Sequence, residues 1–217
     1  DALSGNASAL DDAETVTVLG GSATVSEAIS IQGVSGYQDA ASSYDIVDAA
    51  SVLANNSITT DAIVGDAGVG EVIASDTATA SEGAAINALT GDATFEVADT
   101  ANAIIALTGD AQTVLDEVDS ITVVGGSASV SEAIELQGIT GYQDAASSYD
   151  IVDGASEIVD ASSAVLTDAG VGDVNVVSDV DSVLGVIDQG LADVSDTVTV
   201  VGGSASVSEA IELQGIT

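Results

Sequence analysis

The sequence predicts an α/β repeat fold: a solenoid in which a parallel sheet of about eight short strands carries helices on one face. Three observations predict it. The phrase "GGSASVSEAIELQGIT" stands at Gly125 to Thr140 and again, letter for letter, at Gly202 to Thr217, with a near copy at Gly20 to Ser35. Short β-branched words recur at a nearly constant interval. A helix-start signal follows them.

The strand words are "TVTVLG" (Thr15 to Gly20), "YDIVD" (Tyr44 to Asp48), "EVIASD" (Glu71 to Asp76), "FEVAD" (Phe95 to Asp99), "ITVVG" (Ile121 to Gly125), "YDIVD" (Tyr149 to Asp153), "VNVVSD" (Val174 to Asp179) and "VTVVG" (Val198 to Gly202). Their closing residues lie 28, 28, 23, 26, 28, 26 and 23 positions apart. A period of roughly 26 residues marks stacked modules that bury their apolar sides against their neighbours. Residues 1–217 are therefore expected to form a single array of such modules, part of a longer array.

Alternation within the words orients them. Val16 and Val18 point one way and Thr15 and Thr17 the other; Tyr44 and Ile46 share a core face while Asp45 takes the opposite one. Strands joined through helices are parallel. A sheet covered on both faces reads as continuous apolar runs, so alternation places the helices on one side. Thr17, Asp45, Glu96, Thr122, Asp150, Asn175 and Thr199 are expected on the outer face. The alternative is an all-β solenoid in which the Ala-rich stretches are loops.

Each helix has a start. Thr24-Val-Ser-Glu27, Ser129-Val-Ser-Glu132 and Ser206-Val-Ser-Glu209 are capping boxes, and Thr79-Ala-Ser-Glu82 fits the same frame, which makes the third module a diverged Gly-Gly unit. Val130, Ala133, Ile134 and Gln137 are expected to line the buried stripe, and Gly138 to end the helix in a left-handed conformation. In the other modules the Asp that closes the strand reads as the N-cap of the following helix, as at Asp99. A further helical turn is expected over Val114, Leu115 and Val118.

Charge narrows the function. The chain has 36 Asp and Glu and no Lys, Arg or His, a net charge of −36. Nothing can neutralise phosphates, so nucleic acid and anionic lipid are excluded as electrostatic partners. No apolar run reaches the ~18 residues of a spanning helix, so no membrane insertion is expected. With no His, Cys, Lys or Arg, a nucleophilic triad lacks its base and a phosphoryl-transfer site its cationic clamp. Asp76-Thr-Ala and Asp99-Thr-Ala have the form of an aspartic-protease signature, but their place at strand-to-helix junctions reads as capping. A non-enzyme without a required cofactor is expected.

Clustered oxygens are the remaining chemistry, and Ca2+ is the cation they would take. "DAGVGE" at Asp66 to Glu71 and "DAGVGDVN" at Asp168 to Asn175 make Asp66, Glu71, Asp168, Asp173 and Asn175 the candidate metal ligands. Neither stretch is an EF-hand loop, and Gly and Asp serve turn geometry there in any case. A chain without Lys or Arg offers trypsin-like proteases no site, which suits an extracellular location.

The alternation of "FEVADTANAIIAL" (Phe95 to Leu107) with "ITVVGGSASV" (Ile121 to Val130) resembles tandem repeats of very large secreted surface proteins of bacteria, cyanobacteria included. The resemblance implies a surface-exposed, adhesin-like or filament-forming polypeptide with no catalytic residues. The expected function is structural: a block of an extracellular filament, sheath or surface layer that self-associates by end-to-end stacking. The competing expectation is an adhesin-type binding module that holds divalent cations or glycans on an acidic face.

Overall fold

The structure, a computed structural model, describes residues 13–55, 62–89, 92–111 and 118–215. It is α/β. The strands are β1 (Leu19–Ala23), β2 (Ser43–Asp48), β3 (Val69–Ala74), β4 (Ala93–Thr94), β5 (Glu96–Asp99), β6 (Ser120–Ala128), β7 (Ser148–Asp153), β8 (Val171–Ser178) and β9 (Thr197–Val200). The helices are α1 (Val25–Gln32), α2 (Ala50–Leu53), α3 (Ala80–Asn87), α4 (Ala101–Ala111), α5 (Val130–Gln137), α6 (Ala155–Asp160), α7 (Ser163–Leu166), α8 (Val180–Val186), α9 (Leu191–Val194) and α10 (Val207–Leu213). Two compact units result, one formed by Asp1–Ala98 with Asp110–Ser120, the other by Asp99–Gly109 with Ile121–Thr217.

Strands follow one another in chain order. One sheet runs β1-β2-β3-β4 and the other β5-β6-β7-β8-β9. The described pairings are parallel, as a helical crossover requires. The expectation of one sheet of about eight strands is thus corrected to two sheets, with nine strands among the described residues. The reason lies in the diverged module. Where the other Gly-Gly units carry two glycines at positive φ, this one has Ser75 and Asp76, and among the described residues no non-glycine adopts positive φ. β3 stops at Ala74, and pairing resumes only as an isolated bridge between Ala78 and Val97.

The glycine pair also corrects the strand boundaries. "TVTVLG" was expected to close at Gly20, yet Val16 makes only an isolated bridge to Tyr37 and β1 continues through Gly20 and Gly21 to Ala23. Leu19 pairs with Ser43 and Ser22 with Asp45, so three steps on β1 match two on β2. This is a β-bulge, and φ of 72° and 86° at Gly20 and Gly21 is what it demands. β6 repeats it at Gly125 and Gly126.

One face of the strands is buried, as alternation requires. Tyr44, Ile46, Tyr149 and Ile151 are fully buried. Thr17, Glu96 and Thr199 are exposed, and Asp45, Thr122, Asp150 and Asn175 are half-buried. All four capping boxes form, at Thr24, Thr79, Ser129 and Ser206. Two helix details differ from expectation. The buried stripe of α5 is Val130, Ala133 and Leu136, while Ile134 is 53% exposed. Gly138 caps α5 in a right-handed conformation, and the left-handed glycine is Gly141, at φ 85° in the next turn. Val118 is buried; Val114 and Leu115 lie outside the described residues.

Candidate functional site

The repeated polar chemistry sits where strand meets helix. Asp48 accepts two backbone N–H groups: Ala49 on Oδ1 at 2.9 Å and Val25 on Oδ2 at 3.0 Å. Val25 is the first residue of α1, whose own N-cap is Thr24. The carboxylate therefore caps the helix of the preceding module rather than α2, whose N-cap is Ala49. Asp153 repeats the arrangement on Gly154 at 2.8 Å and Val130 at 2.9 Å. Asp76 accepts Ala50 N–H at 2.6 Å in the same manner. This corrects the expected role of Asp48, Asp76 and Asp153. A helix leaves its first N–H groups unpaired and positive, so an anion there both completes hydrogen bonds and meets the dipole. Asp179 follows the expected form, accepting Ser182 N–H at 2.9 Å, and that bond holds its carboxyl below the usual range.

A second set of carboxylates serves the outer face. Between β2 and β3 the register slips again, with Tyr44 opposite Val69 and Ile46 opposite Val72. Asp45 Oδ1 accepts Glu71 N–H at 3.0 Å at that bulge, and Asp150 accepts Asp173 N–H at 3.0 Å in the second unit. A Cβ on Gly70 would stand 2.7 Å from Asp45 Oδ1, which explains the glycine.

The candidate metal ligands also take part in hydrogen bonds. Asp66 Oδ1 accepts the Tyr37 hydroxyl at 2.8 Å and Gly68 N–H at 2.9 Å. Asp168 accepts the Tyr142 hydroxyl and Gly170 N–H, both at 2.9 Å. The glycines are required because a Cβ on Gly68 or Gly170 would collide with the tyrosine oxygen. Burial first, and then the hydrogen bond to the aspartate, push the ionisation of Tyr37 and Tyr142 above the ordinary tyrosine range. Glu71 and Asp173 lie exposed on β3 and β8, each engaged through its backbone N–H. Asn175 accepts a hydrogen bond from the Thr197 hydroxyl. Among the described residues no group of three or more acidic side chains is gathered so as to hold a metal ion.

Several residues here carry more than the sequence reading assigned. Ser42 and Ser147 place their hydroxyls as acceptors for Val18 N–H at 3.1 Å and Val123 N–H at 3.0 Å. Gln32 donates to the Tyr44 hydroxyl and to Ile63 carbonyl; Gln137 donates to the Tyr149 hydroxyl and to Val165 carbonyl. Burial raises the ionisation of Tyr149. The signal for these roles was the copied phrase itself, which keeps Gln, Ser, Tyr and Asp at fixed offsets.

The third copy differs from the first two in what covers it. Val25 and Val130 are 7% and 9% exposed, whereas the equivalent Val207 is 80% exposed. No residue of α10 is buried. A hollow of about 130 Å³, lined in part by Val198, Val200 and Leu213, flanks β9. No helix among the described residues is long and apolar enough to cross a membrane. The chain matches no protein-family model, no curated protein and no solved structure.

Proposed function

We propose that this chain is a structural repeat protein of the extracellular space, a block of a filament, sheath or surface layer. Its modules stack as a solenoid, and association continues that stacking from one polypeptide to the next. One observation carries the reading. In both repeats a carboxylate of one module accepts the first helical N–H of the module before it, Asp48 from Val25 and Asp153 from Val130, so each module is completed by its neighbour. The polar groups support a structural role, because Asp45, Asp48, Asp76, Asp150 and Asp153 are bound to backbone N–H groups of adjoining modules. No catalysis is assigned. Negative-stain microscopy and sedimentation across a concentration series test the reading: assemblies that lengthen with concentration support it, and monomers at every concentration and salt overturn it.

The second reading is an adhesin-type module that holds divalent cations or glycans. A net charge of −36 without one basic side chain favours cations on the outer face. Calorimetry with Ca2+ separates the two readings. Stoichiometric binding with a large gain in melting temperature supports the second, and weak uptake that added salt abolishes supports diffuse screening.

A further inference from the structure

The groove between α5 and α6 lies in the interior of the second unit. The strands that precede these helices, β6 and β7, are flanked in the sheet by β5 and β8, and α6 packs onward against α8. The groove holds a hollow of about 330 Å³ lined by the apolar Val130, Ile134 and Ala161 and by the acidic Asp153, Glu157 and Asp160. Ile134, Glu157 and Asp160 are exposed. The first unit supplies an internal comparison. Its helix α1 opens with the same "VSEAI" (Val25 to Ile29) as α5 (Val130 to Ile134), but the following stretch differs: "DAASVLAN" (Asp48 to Asn55) against "DGASEIVD" (Asp153 to Asp160). Glu157 and Asp160 thus stand where the first unit has Val52 and Asn55, and Gly154 where it has Ala49. The glycine and the glutamate belong together, because a Cβ at Gly154 would stand 2.5 Å from Glu157 Oε2. Ser156 Oγ donates to that same oxygen at 2.8 Å. Glu157 and Asp160 are three apart on α6, so their carboxylates are neighbours on one face. Like charges so placed repel, and residues 1–217 contain no Lys, Arg or His to relieve them.

We infer that this hollow docks a basic, partly apolar segment of a second protein, with the stem of one lysine or arginine along Ile134, Ala161 and the edge of Val130 and its cation beside Glu157 and Asp160. Such side chains cover apolar surface with their methylenes while the charged head stays at a polar edge, and the hollow offers both surfaces side by side. Charge complementarity selects the occupant. A second copy of residues 1–217 would bring only further acids, and an uncharged segment would leave the two carboxylates of α6 unrelieved. Asp153 completes the lining but is already committed to the N–H groups of Val130 and Gly154, so the cation is assigned to the other two acids. The stacking reading concerns contacts between like modules; this seat is a contact with an unlike, cationic protein and stands whether or not the chain polymerises.

The test titrates the full chain, in about 0.15 M salt to screen distant charges, with a short labelled peptide of alternating leucine and lysine, read by fluorescence anisotropy and by NMR amide shifts. The seat predicts saturable binding with shifts centred on Ser131, Ile134, Gly154 and Ala161. Glu157→Gln with Asp160→Asn is expected to weaken binding about fivefold or more, whereas Glu71→Gln with Asp173→Asn, which removes the same charge from the outer face, should change it less than about twofold. Ile134→Ser leaves the charge untouched and should weaken binding about threefold or more. These variants alter exposed side chains, and melting temperatures check that the fold is kept. Ala49→Gly, Val52→Glu and Asn55→Asp together should give the first unit a second seat, seen as new shifts at Ile29. A peptide of serine and lysine that binds as tightly would show diffuse attraction to the acidic surface and overturn the inference. A peptide of leucine and glutamine that binds as tightly would overturn it too, by making the hollow a plain apolar seat. So would equal losses from the two acid pairs, or shifts of the same amides with chain concentration alone, which would assign the hollow to a second copy.

Discussion

Removing the Asp153 carboxylate should cost more than removing any exposed acid, although it lowers the charge of a strongly acidic chain. Asp153→Ala deletes two charge-assisted bonds, to Val130 N–H at 2.9 Å and to Gly154 N–H at 2.8 Å. Loss of an N-terminal cap costs about 1 kcal/mol and up to about 2, and leaving a half-buried N–H without an acceptor adds about 1. The opposing relief is about 0.4 kcal/mol for each carboxylate ~10 Å away in water, before screening. In 0.15 M salt most of that relief is screened, so the net expectation is a loss of about 2 kcal/mol. Asp153→Asn keeps an acceptor without charge and should lose about 1 kcal/mol. Asp160, exposed at the end of α6, supplies the comparison: Asp160→Asn should change stability by less than about 0.5 kcal/mol. Urea unfolding followed by circular dichroism at pH 7 measures all three, with slopes unchanged. If Asp153→Ala is as stable as Asp160→Asn, cross-module capping is not what the carboxylate does.

Three further outcomes follow from the same geometry. Leu136→Ala should destabilise by about 2–5 kcal/mol because Leu136 is fully buried, whereas Leu213→Ala, in an identical sequence, should cost less than about 1 kcal/mol in dilute monomer. Gly125→Ala meets no atom within 4 Å and should cost only the ~1 kcal/mol of its positive φ, while Gly170, whose φ is not positive, would on substitution by Ala meet the Tyr142 hydroxyl and Ser147 and cost about 1–3 kcal/mol of overpacking; denaturant midpoints compare them. Without His, Cys, Lys or Arg, no side chain titrates between about pH 6 and 9, so stability should be flat there. Tyr37, Tyr142 and Tyr149 ionise at higher pH when folded than when unfolded, so their contribution is complete below about pH 10 and is lost as pH rises from there through the folded values. Thermal melts should show that fall, and Tyr142→Phe should make it shallower.

What the sequence disclosed was the chemistry whose partners lie within a turn. The capping boxes at Thr24, Thr79, Ser129 and Ser206 involve residues three apart, and all four form. The alternation in "YDIVD" placed Tyr44 and Ile46 inside for the same reason. Asp48 was harder, because its second partner, Val25, lies 23 residues earlier and only the stacking of modules brings them together. Ile134 and Leu136 both fit a helical stripe in an eight-residue helix, and the packing that buries Leu136 and leaves Ile134 exposed lies outside any local window. Gly-Gly reads locally as a turn; parallel pairing converts it into a bulge. The break between the sheets had a visible cause, Ser75-Asp76 in place of two glycines, whose meaning depended on knowing what those glycines do. Asp66 and Asp168 each accept a tyrosine hydroxyl from 29 and 26 residues away, a partner that no local window shows.

The central claim is that each module is completed by the one beside it, within the chain and between chains. Amide exchange at Val207, measured against Val130 over a hundredfold range of protein concentration with sedimentation on the same samples, tests it most directly. The account predicts that Val207 exchanges freely in monomer and approaches the protection of Val130 as larger species form. Val207 left unprotected in those larger species, or protected in a dilute monomer, would contradict it.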